Sequence, residues 1–239
     1  MVDAKGAFVA PRSAVHFCIE QWSHWAPSQP GVKAEIPEVD GLLRRRASAT
    51  DRAALRAAFD AVPDRAPIPA VFCSRHGEVH RSVELLEQLA RGEGLSPTSF
   101  SLSVHSTAAA LFSLSRGDRS PMSAIAAGAD SLPQGVLEAV LRLEDGDERV
   151  LVVAHDDLLP EPFRGDADEP GAVFGLAMVL RRTGGPAFSL AFDAVSGDAD
   201  GAPGDPAPQP PRVAAFLASD ALELTVQSPP RRWTWRRHA

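Results

Sequence analysis

Few side chains in this 239-residue sequence stand where their type and spacing could do chemistry. Gly117 to Ser131 reads GDRSPMSAIAAGADS, an apolar strand running straight into a capped helix start, the turn where many α/β enzymes seat a nucleophile. There the unpaired N–H groups and positive dipole end of the helix would lower a thiol pKa and hold a nearby anion. Ala129 occupies that seat, and a methyl group can do neither. The only cysteines, Cys18 and Cys73, lie in apolar strand-like runs, which predicts small buried hydrophobes; a reactive Cys73, beside Ser74 and Arg75, is the alternative. His105 precedes an apolar helix and reads as a histidine satisfied by a local hydrogen bond. His76 and His80 could share a helix face, but Glu78 is misplaced for a zinc hydrolase and no third ligand is near, so no metal site is expected. His155-Asp156-Asp157 could serve metal or acid/base chemistry, and a solvated loop start is the expectation. There is no Gly-x-Ser-x-Gly elbow, Ser131 reads as a helix cap, and Gly92-Glu93-Gly94 is a helix stop rather than a phosphate cradle. No cofactor is expected.

The elements that must position these residues follow from hydrophobic periodicity. Ala14 to Gln21 alternates as a strand, and a Pro-rich connection runs from Pro27 to Pro37. Thr50 is the expected cap of a helix whose Ala54, Leu55, Ala58, Phe59 and Val62 recur at helical spacing. Pro69 to Cys73 suits a buried strand, followed by a helix burying Val83, Leu86 and Leu89. A third helix, about His105 to Ser115, is apolar all round and therefore expected to be buried. After the strand Met122 to Ala127, Ser-Leu-Pro-Gln from Ser131 forms a capping-box pattern before a helix whose buried stripe is Val136, Leu137, Val140 and Leu141. Arg149 to Ala154 is the unbroken apolar run of a strand covered on both faces, which completes a βαβ unit.

Ala172 to Arg181 and Ala187 to Phe192 flank Thr183-Gly184-Gly185-Pro186 and read as an antiparallel pair. Residues 193–212 are too poor in large apolar side chains to pack and read as a flexible excursion within a single domain spanning 1–239. Ala221 to Gln227 is the last strand, and 228–239 form a basic tail in which Trp233 and Trp235 share one face of a terminal edge strand. The net charge of −7 argues against nucleic acid as a partner, and no apolar run is long enough to span a membrane, so a soluble cytoplasmic protein is expected.

In this order the elements resemble the N-terminal half of a β-ketoacyl synthase, of the thiolase-like fold, and most of all the short proteins built from that half alone. Ser96-Pro97-Thr98-Ser99-Phe100, Ser103-Val104-His105 and the run from Ala108 to Leu111 resemble the segment those synthases place before the substrate pocket. Gly117-Asp118-Arg119-Ser120-Pro121 resembles their Gly-x-x-Gly-Pro turn, with Ser120 for the second glycine. Ala127-Gly128-Ala129-Asp130-Ser131 falls where the family has Thr-Ala-Cys-Ala-Ser. Leu151 to Asp157 and Gly171 to Leu180 resemble the strands around its Ala-Gly-Gly-x-Glu and Gly-Glu-Gly-Ala motifs.

The resemblance implies an α/β half fold with a mixed, mostly parallel sheet of about five strands and helices on both faces. It places Ala129 at the cysteine nucleophile and leaves no room for the C-terminal half that carries the two supporting histidines. Condensation needs that thiolate and those histidines, so no catalytic residue is expected in this chain. The implied function is a partner subunit, like a chain-length factor, that pairs with a complete β-ketoacyl synthase in fatty-acid, polyketide or aryl-polyene assembly. His105, Ala108, Phe112, Gly128, Ala129 and Asp130 are the expected pocket residues, His105 orienting an acyl carbonyl or a partner's side chain. Met122, Ser123, Ala124, Ile125 and Ala126 are the expected interface, because the family pairs this strand across its dimer axis and an unpaired edge invites association. Arg231, Arg232, Arg236 and Arg237 are expected to stay free to meet an acyl carrier protein. The alternatives are a small acyltransferase or thioesterase using His105 or Cys73, and a homodimeric carrier-protein-binding module.

Overall fold

The computed structural model describes residues 14–161, 163–164, 171–194 and 208–238. β1 (Val15–Trp25) is followed by α1 (Gly41–Arg46), α2 (Ala49–Ala61), β2 (Ala70–Cys73), three helices α3 (Val79–Ala90), α4 (Pro97–Ser101) and α5 (Thr107–Arg116), and β3 (Met122–Ile125). A 3-10 turn, Gly128–Asp130, then leads into α6 (Ser131–Glu144), β4 (Val150–Asp156), β5 (Phe174–Arg181) and β6 (Ala187–Ala194). The last elements are α7 (Gln209–Leu217), β7 (Glu223–Ser228) and β8 (Arg231–His238).

All strands join one sheet in the order β3-β2-β4-β5-β1-β6-β8-β7. The mixed α/β class is as expected, but the described residues form eight strands rather than five. Only β2–β3 and β2–β4 are parallel; the other five pairings are antiparallel, so the sheet is not mostly parallel. Helices cover both faces. Val150, Val152 and Ala154 of β4 pack on the side of α6 and α7, and Leu151 and Val153 pack on the side of α2 and α5. This two-sided burial is why β4 reads as an unbroken apolar run. The expected βαβ unit is present: β3 and β4 flank β2 on either side, joined through α6.

Several expectations are corrected. The segment Thr183-Gly184-Gly185-Pro186 is not a hairpin turn, because β1 lies between β5 and β6 and pairs antiparallel with both. The chain crosses β1 there and continues in the same direction. Gly184 adopts φ +88°, and a Cβ on Gly185 would sit 3.4 Å from Ile19 O, so the glycines permit a close crossing rather than a reversal. Ser48, not Thr50, caps α2: its hydroxyl accepts from Asp51 N at 3.0 Å while Asp51 accepts from Ser48 N at 3.0 Å, a capping box.

On α3 only Leu85 is buried, and Leu86 and Leu89 are 63% and 60% exposed, because none of the described residues forms a layer over them. Leu114 of α5 and Leu141 of α6, both expected in the core, are also exposed. Of the excursion expected over 193–212, residues 195–207 lie outside the described residues, while Gln209 onward forms α7, whose Val213, Ala214, Phe216 and Leu217 are buried. Its start, Gln-Pro-Pro-Arg, looks like loop, yet proline is tolerated in a first helical turn. β8 is not an edge strand either, since β7 lies outside it.

Candidate functional site

The seat lies where β3 ends. Gly128 takes φ +58°, which a side chain would resist, and the 3-10 turn carries Ala129 to the start of α6. Ser131 Oγ accepts from Ala127 N at 3.0 Å and donates to Gly128 O at 2.8 Å, so it closes this turn rather than capping Gln134 as the capping-box pattern predicts. Asp130 is buried and accepts from Trp233 Nε1 and Arg231 Nη1, both at 2.8 Å. The C-terminal strand is thereby tied to the residue beside Ala129. The space under the seat is a void of about 10 Å3, lined by Cys73, Ala129, Leu132, Asp156, Gln209 and Pro210 among others. That is room for about one water molecule and no acyl group.

Cys73 matches its expected role as a buried hydrophobe. Burial pushes its thiol pKa up, the Asp156 carboxylate adds to this, and Gly135 of α6 packs so tightly that a Cβ would run into the Cys73 sulfur. His105 is half-buried with Nε2 3.0 Å from Ser74 O, the satisfied histidine that the sequence predicts. Gly77, at φ +55°, leaves the room for that ring: a Cβ there would approach His105 Cδ2 to 2.9 Å. Ala108 and Phe112 do not line a cavity with Ala129. They belong to the core between α2, α5 and the sheet, where Phe112 packs against Phe59 and Phe72 with ring centroids 5.4 and 5.9 Å apart. The expected apolar pocket wall is therefore core packing.

A polar layer sits at the C-terminal ends of β2 and β4. Asp156 is not in a solvated loop. It is buried at the end of β4 and accepts from Ser74 Oγ at 2.6 Å, Arg75 N at 3.0 Å and His76 N at 3.1 Å, which fixes the turn after β2. Burial raises its pKa, against these hydrogen bonds. His155 is equally buried, its Nδ1 3.1 Å from Thr50 Oγ1, and burial lowers its pKa to about 3, so the ring is neutral. Glu78 accepts from Ser48 Oγ at 2.6 Å and pairs with Arg81 at 3.0 Å. Asp51 beside it is pushed up to about 7, first by burial and then by the Glu78 charge.

His80 Nε2 meets Leu158 O at 2.6 Å, while His76 donates its backbone N–H to Asp156 at 3.1 Å. Among the described residues no three His, Cys, Asp or Glu side chains converge as a metal would need. Sequence reasoning missed Asp156 and Gln209 as neighbours of the seat. Only Asp156, the acid that ends an otherwise apolar strand, left a signal.

The expected interface residues form a bare edge. Ala70 N donates to Pro121 O and Ser74 N to Ile125 O, both at 3.1 Å, so odd-numbered residues of β3 face β2. Met122, Ala124 and Ala126 therefore turn their N–H and C=O groups away from the sheet. The two helices packed beside β3, α5 and α6, each carry an exposed leucine. Leu114 and Ala110 lie on the side of α5 opposite Phe112, which touches α2, and Leu141 neighbours Glu138 and Arg142, which reach Ser123 of β3.

The four arginines are not free. Arg231 pairs with Asp130 at 2.8 Å, Arg232 with Asp193 at 3.4 Å and Arg236 with Glu223 at 2.6 Å. Arg237 donates to Ser219 O and Leu217 O at the end of α7 and lies over the rings of Phe188 and Phe216. Trp233 and Trp235 are fully buried on one face, and Trp235 Nε1 donates to Gln209 Oε1 at 3.1 Å.

A family model described as the N-terminal domain of β-ketoacyl synthase matches residues 20–236. The chain belongs to that family. No curated protein sequence matches it. Among solved structures, a ketosynthase in complex with its chain length factor from Xenorhabdus doucetiae is similar over 93% of this chain and 100% of that one, with a TM-score of 0.79 and 24% identity. The ishigamide ketosynthase/chain length factor is similar over 77% of this chain and 69% of that one, with a TM-score of 0.59 and 14% identity. A β-ketoacyl synthase from Burkholderia phymatum STM815 is similar over 73% of this chain and 54% of that one, with a TM-score of 0.52 and 17% identity. At these identities the likeness is one of fold: the chain has the thiolase-like ketosynthase fold. No helix among its described residues is long and apolar enough to cross a membrane.

Proposed function

We propose that this chain is a non-catalytic partner of a complete β-ketoacyl synthase, pairs with it through β3, and acts in the manner of a chain-length factor. The observation that carries the reading is the seat: Ala129 stands where the family places its cysteine, above a void of about 10 Å3. Neither of the other candidate nucleophilic or basic groups offers a substitute. Cys73 is sealed under Gly135 with a raised pKa, and His105 is spent on Ser74 O. The Xenorhabdus chain that matches over its whole length is about as long as this one and comes from a ketosynthase and chain length factor complex, which supports the same arrangement here.

In this reading the acyl chain lies in the partner's pocket. This subunit shapes it from the β3 side, with Gly128 and Ala129 at the end of that strand. Carrier-protein contact falls to Arg231, Arg232 and Arg236, which stay 41%, 39% and 49% exposed while paired, rather than to Arg237. Fatty-acid, polyketide and aryl-polyene assembly all fit such a subunit. The test is co-expression with a complete ketosynthase from the same organism. Co-purification, and chain elongation by the pair but not by this chain alone, is the expected result. Thioester turnover by the isolated chain that is lost in Cys73→Ala or His105→Ala would replace the reading with an acyltransferase or thioesterase. A stable homodimer that ignores the ketosynthase would replace it with a binding module.

A further inference from the structure

Away from β3, an apolar groove of about 680 Å3 runs between α7 and the adjoining ends of β1 and β5. That volume falls within the roughly 300–1,000 Å3 usual for small-molecule sites. Its walls include Trp25, Phe174, Leu176, Pro210, Ala214 and Ala215, and His24 is the only ionisable side chain among the described residues that line it. The walls are fixed in advance: Phe174, Leu176 and Ala214 are anchored in the core by the same β-strand and helix that carry them. Pro210 lines both this groove and the void beside Ala129 and so stands between them.

The chemistry of the lining selects the occupant. A peptide would bring an N–H and a C=O at every residue, each needing a partner that these walls do not hold. The first turn of α7, normally a source of free N–H groups for an anion or a carbonyl, begins Gln-Pro-Pro and has lost two of them to proline. An unbranched alkyl chain asks for no hydrogen bonds and fits a wall of small side chains. We propose that this groove binds the alkyl chain of a single-chain amphiphile, with the head group outside in water near His24. The proposal does not depend on the partner reading.

Titration of the whole chain with dodecyl maltoside below its micelle concentration, followed by calorimetry and by backbone amide shifts, tests it. One saturable site is expected, with shifts around Trp25 and Ala215 and none on titration with maltose. Ala215→Trp on α7 and Ala218→Trp at its C-terminal cap place an indole in the groove from exposed positions, and both are expected to leave the melting temperature unchanged. Each is expected to weaken binding by roughly tenfold or more, since every methylene kept in water forfeits its burial. No saturable binding, binding that both variants leave unchanged, or binding of maltose alone would overturn the proposal. So would a groove that captures a protein partner, lost in Ala215→Trp, without binding the alkyl probe. Co-purification with the ketosynthase reads the partner proposal separately.

Discussion

The two edges of the sheet are built in opposite ways. β7, at one end, carries Glu223 and Gln227, and its register with β8 turns the backbone groups of Glu223, Thr225 and Gln227 outward. One of these acceptors is already used: Arg212 of α7 donates to Thr225 O at 3.1 Å. Charge and a side-chain donor are established ways of keeping an edge from pairing. β3, at the other end, reads Met-Ser-Ala-Ile, has no charge, and packs beside the helices that carry exposed Leu114 and Leu141. This contrast, one edge guarded and the other bare and apolar, is what the proposed pairing through β3 rests on.

The comparison can be broken most sharply by proline. In Ala124→Pro the lost N–H points outward, so the β2 ladder survives while one donor to a partner strand is removed. The expected outcome is loss of co-purification with the ketosynthase and a melting temperature within a few degrees of wild type. Thr225→Pro, the equivalent change on β7, is expected to leave co-purification intact. Next in size, Leu114→Asp and Leu141→Asp are each expected to weaken the complex by roughly tenfold to a hundredfold, the worth of one buried leucine, measured by surface plasmon resonance. A smaller effect is expected from Arg212→Met, which uncovers Thr225 O. Light scattering of the isolated variant should rise with concentration where wild type stays flat.

The smallest effect separates edge pairing from charge at the other end of the strands. Asp51 holds a proton in the folded chain up to about pH 7, whereas an ordinary carboxyl releases it near 3.8, so its contribution to stability is lost as pH rises through that window. Asp51→Asn is therefore expected to melt like wild type near pH 4 and a few degrees higher at pH 8. His155 works in the opposite sense. Its folded pKa of about 3 lies below the usual 6.5, so stability is lost as pH falls between them, and His155→Gln should flatten that acid limb. Neither substitution should change pairing through β3.

The parts of this fold that the sequence discloses are those whose burial is local and periodic. β2, β4, α2 and α6 announce themselves because each packs a regular stripe against the sheet. The crossing at Gly184-Gly185 is indistinguishable from a hairpin in sequence, because both need glycine and only the position of β1 separates them. α7 is hidden by its prolines, and α3 misleads because an amphipathic stripe does not say whether its cover belongs to the same chain. At the site, the empty seat at Ala129 is legible from the strand-to-helix turn. The ties from Asp130 to Trp233 and from Ser74 to Asp156 span 103 and 82 residues and have no local trace.

Hydrogen exchange of the β3 amides, with and without the complete ketosynthase, tests the central claim most directly. The amides of Met122, Ala124 and Ala126 should exchange fast in the free chain and slow markedly in the complex, while those of Glu223, Thr225 and Gln227 should be unchanged. A complex that forms with the β3 amides still exchanging at the free rate would contradict the account.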